Sequence, residues 1–109
     1  MESYFVDKKS CKHHQVFPGV DMFTSPCEKM MLSLVEMAPH SIIEEHSHPH
    51  EQVGYMLEGE ADFTIGDEQM SVVAGQMWRI PGGVVHKVVA GSKPVRALDV
   101  FHPPRDDYK

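Results

Sequence analysis

His46, Ser47, His48, Pro49, His50, Glu51 and Gln52 stand in a row, and the residue types and their spacing are those of a metal chelate. Two histidines one residue apart on an extended chain point to the same side, so His46 and His48 present two imidazoles in one direction. A further donor, the amide oxygen of Gln52, comes six residues after His46, past a turn expected at Pro49. Much later the run Gly75 to His86 brings one more imidazole out of a Pro81-Gly82-Gly83 turn. Three neutral imidazoles and an amide oxygen from two hairpins fill most of a first-row transition-metal shell and leave positions open for water or substrate. Such donors suit a divalent nickel, zinc, iron, cobalt or manganese ion, and the spacing does not choose among them.

A second constellation lies near the C-terminus. Asp99 and Phe101 share a face by strand alternation, and Arg105 follows after His102-Pro103-Pro104, where two prolines turn the chain. An acid, an aromatic ring and a guanidinium therefore converge at one opening, although each also has an ordinary reading as strand-end carboxylate, core ring and surface cation.

The elements that must position these groups are short strands. Lys29–Met37 is an apolar run closed by Ala38-Pro39, and its methionines read as packing rather than as thioether ligands. Residues 42–48 are expected to form the strand carrying the first two ligands, with Ile42 and Glu44 on the ligand face and Ile43 and Glu45 on the other. Gln52 then shares a face with Gly54 and Met56, which turns Tyr55 away from the metal. Ala61–Ile65 and Gln69–Val73 flank a Gly66-Asp67 hairpin, and further strands are expected at Met77–Ile80, Val84–Val89 and Val95–Phe101. Residues 1–28 read as a lead-in of little periodicity, with an edge strand over Lys12–Phe17 on which the adjacent His13 and His14 face opposite ways, exposed to solvent. No stretch has a convincing helical pattern. Many short strands punctuated by glycine and proline predict an all-β, double-sheet jelly-roll barrel, with 29–105 as its core.

Composition agrees with one small domain over 1–109. The chain has 109 residues, 41% of them hydrophobic, and a net charge of −6, which gives no footprint for nucleic acid or for an anionic membrane surface. No signal-peptide core or membrane-length run is present, so the protein reads as cytoplasmic. Cys11 and Cys27 are too few and too far apart for a disulfide framework and read as free thiols.

The ligand stretches resemble the paired motifs of the cupin superfamily, G-x5-H-x-H-x3-4-E-x6-G and G-x5-P-x-G-x2-H-x3-N. His46, His48 and the interval from Gln52 to Gly59 match the first; Gly75, Pro81, Gly83 and His86 match the second. Three positions depart: His40 replaces the first glycine, Ala90 the final asparagine, and Gln52 the glutamate. The last substitution matters most, because three histidines and a glutamate leave a divalent site at a formal +1 whereas Gln52 leaves it at +2. A more positive centre binds an anionic substrate more strongly and its own metal less tightly. Together with Asp99, Phe101 and Arg105, the motifs resemble the KdgF-type cupins of pectin and alginate breakdown.

That resemblance implies a lyase or isomerase that opens the ring of 4,5-unsaturated monouronates to keto sugars. In it, His46, His48, Gln52 and His86 hold the metal, Arg105 clamps the carboxylate of a small anionic sugar acid, Phe101 packs on the ring, and Asp99 moves the proton. Two rivals remain. An iron or copper cupin dioxygenase would use the same histidines and consume oxygen, and a non-catalytic acid- or sugar-binding cupin would not depend on Asp99 for turnover. His40, His50 and His102 read as non-ligands, Trp78 as a core residue, and the oligomer as a homodimer pairing through strand edges.

Overall fold

A computed structural model of the chain describes residues 3–109; Met1 and Glu2 of the predicted lead-in lie outside the described residues. Ten strands follow in order: β1 (Lys12–Phe17), β2 (Val20–Pro26), β3 (Met31–Met37), β4 (Ile42–His46), β5 (Glu51–Glu58), β6 (Glu60–Ile65), β7 (Glu68–Val73), β8 (Met77–Ile80), β9 (His86–Ala90) and β10 (Val95–His102). Short 3₁₀ turns at Lys8–Ser10 and Asp106–Tyr108 are the helical pieces among the described residues, and none is long or apolar enough to cross a membrane.

The strands form two antiparallel sheets, one ordered β1-β2-β3-β10-β5-β8 and the other β4-β9-β6-β7. This is the jelly roll expected from the turn spacing. The inner faces enclose a core built on Val20, Met22, Val35, Met37, Met56, Phe63, Trp78 and Val88. Of the methionines in the Lys29–Met37 run, Met31 and Met37 are buried and pack, each worth about 1.5–3 kcal/mol of apolar burial, whereas Met30 is exposed. Cys11 and Cys27 are free.

Two expectations are corrected. The edge strand expected over Lys12–Phe17 is β1, but residues 20–26 are not a loose lead-in: they form its hairpin partner β2, inside the six-stranded sheet, with Val20, Met22 and Thr24 buried in regular alternation. The alternation Val-x-Met-x-Thr was present, but Asp21 and the intervening Phe23 blurred it. His14 of that hairpin is half-buried rather than solvent-facing, with its Nε2 hydrogen-bonded to the Tyr108 carbonyl at 3.2 Å.

The second correction concerns β4. The strand ends at His46 instead of continuing to 48, and its register against β9 slips by one residue between the pairs Ile43↔Val88 and His46↔His86. The extra residue is a bulge, which breaks the period of two. Glu44 and Glu45 both face solvent, and it is Ile43, not Ile42, that turns inward with His46.

Candidate metal centre and active site

The bulge delivers His46 to the open end of the barrel directly opposite His86 of β9. His48 reaches the same point from the loop between β4 and β5. That loop is held by the Pro81–Val85 turn, where Gly83 N–H donates to the His48 carbonyl at 2.8 Å. A side chain on Gly82, the variable position between Pro81 and Gly83, would run into the Pro49 carbonyl, while Gly83, the glycine of the second motif, has a left-handed backbone with φ 82°. The first motif shows the complementary case. His40, standing where the family has glycine, is the one non-glycine residue among those described with positive φ, at 64°.

His46, His48 and His86 present ring nitrogens that all lie within 4.8 Å of one another. Their protonation is fixed from behind. Each Nδ1 faces a backbone carbonyl: Glu44 at 2.8 Å for His46, His50 at 3.0 Å for His48 and Val84 at 2.9 Å for His86. Because a carbonyl only accepts, each Nδ1 carries a proton, which leaves the Nε2 atoms of His46 and His86 without a hydrogen-bond partner, whereas His48 Nε2 faces Gln52 Oε1 at 3.0 Å. Burial lowers the His48 and His86 pKa values, that of His86 to about 4, with Arg105's charge adding to the effect on both. His86 Nε2 is buried without any partner. Three imidazoles whose ring nitrogens converge, one of them buried without a partner, fit a divalent transition metal in donor type and number. His50 contributes its carbonyl to His48 rather than its ring, while His40 and His102 are exposed.

Gln52, at the start of β5, is buried beside this cluster, its Oε1 3.0 Å from His48 Nε2. Its amide nitrogen serves Asp99, which accepts a hydrogen bond from it. One amide thus offers oxygen to the histidines and hydrogen to the carboxylate. Tyr55 points outward and Met56 inward, as the parity from Gln52 requires.

Asp99 and Phe101 are both buried on the inner face of β10. Burial pushes the Asp99 carboxyl up to about 6, opposed in part by hydrogen bonds from Gln52 and from Trp78, whose Nε1 donates to Oδ1 at 2.9 Å. The Trp78 bond went unseen in the sequence. Its signal was Gly54, a glycine in the middle of β5, since a Cβ there would overlap both the indole nitrogen and the carboxylate. Trp78 is a core residue as expected, with its ring 4.4 Å from Phe63, but it is also the anchor of the acid.

Past His102 the chain turns back, and Arg105 enters the same space. Its guanidinium lies over the Phe101 ring at 5.3 Å and the Tyr108 ring at 4.6 Å, and its Nε is buried without a partner. His46, Gln52, His86, Asp99, Phe101 and Arg105 all line one cavity of about 280 Å³, continued inward by apolar residues such as Val35, Ile80 and Ala97. That size is at the low end for a small-molecule pocket.

A family model for the cupin domain matches residues 33–101, and the chain belongs to that family. Among solved structures it is similar to KdgF from Halomonas sp., 24% identical over 98% of each chain with a TM-score of 0.86. It is also similar to an RmlC-like cupin from Shewanella frigidimarina, 21% identical over 99% of this chain and 97% of that one with a TM-score of 0.89. An oxalate decarboxylase of Bacillus subtilis is 23% identical over 90% of this chain and 29% of its own, with a TM-score of 0.81. At these identities the likeness is one of fold, in which the KdgF-type resemblance read from the sequence agrees. An uncharacterized protein of Streptomyces coelicolor is 37% identical over 57 residues, 52% of this chain and 54% of that protein, so the match spans about half the length of that relative.

Proposed function

We propose that the protein is a metal-dependent enzyme opening the ring of 4,5-unsaturated monouronates, an isomerisation with no net change of composition. The observation that carries this reading is the convergence of Asp99, Phe101 and Arg105 on the histidine cluster within a single cavity. The fold of KdgF from Halomonas sp. supports it. His46, His48, His86 and Gln52 would hold the ion. A divalent metal there supplies positive charge that polarises the enol ether and offsets negative charge on the opening ring.

The chain's own groups do the rest. Arg105, with Nε free and the Phe101 and Tyr108 rings beside its guanidinium, receives the uronate carboxylate. Phe101 bounds the space beside that carboxylate and fixes the height of the sugar ring. Asp99, with a pKa of about 6, takes the proton from the hemiacetal hydroxyl as the bond between C1 and the ring oxygen breaks. This leaves an aldehyde at C1 and an enolate at C5. The protonated Asp99 then returns that proton to C4, and the enolate becomes a ketone. Burial serves both halves, because an acid near pKa 6 is neither too weak a base nor too weak an acid at neutral pH.

The test is a paired assay of metal-loaded protein and Asp99→Asn on unsaturated galacturonate and mannuronate, following enol-ether absorbance and dissolved oxygen together. Acceleration over buffer that is abolished by chelator and falls about a hundredfold or more in the variant, without oxygen uptake, is expected. Oxygen consumption would instead identify a dioxygenase, and absence of any acceleration would leave a binding protein.

A further inference from the structure

Arg105 is held by a segment that no motif marks. From Arg105 the chain makes one 3₁₀ turn, closed by Tyr108 N–H donating to the Arg105 carbonyl at 3.0 Å. The Tyr108 carbonyl is then hooked from the other end of the six-stranded sheet: it accepts from Thr24 Oγ1, on a side chain almost wholly buried, and from His14 Nε2. The His14 ring meets the Tyr108 ring edge-on at 5.1 Å. The turn thereby puts the Tyr108 ring 4.6 Å from the guanidinium, which also lies 5.3 Å from the Phe101 ring, while Asp107 Oδ2 accepts from Nη2 at 3.2 Å. Tyr108 also forms part of the cavity wall, together with Val16 and Phe17 of β1.

A flexible arginine at a cavity mouth would ordinarily spread over many rotamers and swing out to water. Here two aromatic rings lie against the guanidinium and one edge is tied to Asp107, so the group is confined. The Nε hydrogen is left as an unpartnered donor in a buried position. Confinement of this kind reduces what an anion must spend in ordering its partner.

We propose that Tyr108, locked by Thr24 and His14, is a positioning residue that presets Arg105 for a carboxylate, so that the β1–β2 hairpin sets acid affinity from outside the motifs. This rests on the uronate reading for the identity of the acid, but not for the confinement of the guanidinium. Tyr108 acts through Arg105 and moves no proton of the reaction.

The experiment has two arms. In the first, ¹⁵N-labelled protein is used to follow the Nε–H signals of Arg79, Arg96 and Arg105, measuring exchange of each with water. Slow exchange at Arg105 in the wild type, at least tenfold faster in Tyr108→Ala and Thr24→Val, and restored to within about twofold in Tyr108→Phe, is expected. Unchanged exchange in Tyr108→Ala overturns the proposal, because the ring would then not hold the guanidinium. In the second arm, metal-loaded protein is titrated with D-galacturonate and with D-galactose, and kinetics on unsaturated galacturonate are measured alongside. Tyr108→Ala is expected to weaken galacturonate binding and raise KM about tenfold, with kcat within about threefold and galactose unaffected. In an Arg105→Ala background the same substitution should do nothing further. Equal losses in both backgrounds overturn the proposal. Absence of turnover in the wild type counts against the uronate reading alone, and the exchange arm still decides the role of Tyr108.

Discussion

Trp78 Nε1 lies 2.9 Å from Asp99 Oδ1 across a gap that exists because residue 54, between them on β5, has no side chain. The bond stabilises the carboxylate form, so removing it raises the acid further. Trp78→Phe keeps the packing on Phe63 but loses the donor. We expect the acidic limb of its kcat/KM profile to move to higher pH by about one unit, with a fall in rate of about tenfold well below pH 6 and only about twofold at pH 7. Gly54→Ala should be worse, with a loss of about 2–4 kcal/mol of stability from overpacking against two buried groups. Denaturant melts and pH–rate profiles of the two variants check this.

Gln52→Glu restores the glutamate of the family motif. It adds a negative charge at the histidine cluster and replaces the amide hydrogen-bonded to Asp99 with a second carboxylate. Metal affinity is expected to rise about tenfold, by competition with a chelating dye. Turnover is expected to fall at least tenfold, because the centre drops from +2 to +1 and Asp99 is pushed further up by a like charge. A variant that both holds metal tighter and turns over faster would contradict this.

The metal-free protein should show an unusual dependence of stability on pH. Asp99 titrates near 6 when folded but near 3.8 when unfolded, so between these values the folded state binds the extra proton and stability falls as pH rises. His86 does the reverse. Folded, its pKa is near 4, against 6.5 unfolded, so stability rises with pH over nearly the same window, and His48 adds on that side. The opposing slopes largely cancel in the wild type. In Asp99→Asn only the histidine slope remains, so the variant should gain about 2–3 kcal/mol on the wild type between pH 4 and 6 and hold that advantage above it. Urea titrations with chelator across pH 4 to 8 measure the difference directly.

For the homodimer, expected from the sequence to pair through strand edges, we propose a sheet face instead. On the outer face of the six-stranded sheet Leu32, Val53, Tyr55 and Met77 are exposed, at 47%, 45%, 40% and 73%. The register places them in one block, with Val53 and Leu32 each opposite Val100 and Tyr55 opposite both Leu98 and Met77. Monomers rarely leave contiguous apolar patches larger than a few hundred Å² in water. We expect two copies to pack these faces about a two-fold axis. Tyr55→Glu with Met77→Glu should halve the mass seen by light scattering and leave metal binding intact.

The meeting of His46, His48 and His86 was readable because such a cluster is written locally. Two histidines, a glutamine and a Pro-Gly-Gly-x-x-His turn keep their spacing whatever the barrel does around them. The face assignment in β4 was not readable, because a single inserted residue in the ladder reverses parity and Ile42-Ile43-Glu44-Glu45 reads equally well either way. β2 was missed for a similar reason, its polar Thr24 standing at a core position to hold the Tyr108 carbonyl. Trp78 with Asp99, and Tyr108 with Arg105, are pairs made by neighbouring strands and by a returning tail; sequence gives their chemistry but not their meeting. Gly54 and His40 carried hints of a different kind. A glycine inside a strand marked a close approach, and a histidine at a glycine position carries the left-handed backbone at a cost of order 1 kcal/mol.

The donors at the barrel mouth come from different layers. His46 and His86 belong to the four-stranded sheet, Gln52 to the six-stranded one, and His48 to the loop that crosses between them. An ion held by all four would act as a rivet through the two walls at this end. Its loss would then be felt first as breathing of the rim, with amides of β4 and the Pro81–Val85 turn exchanging sooner while the closed end of the barrel stays shut. The aperture through which an acid must pass would be set by the same atom that receives it.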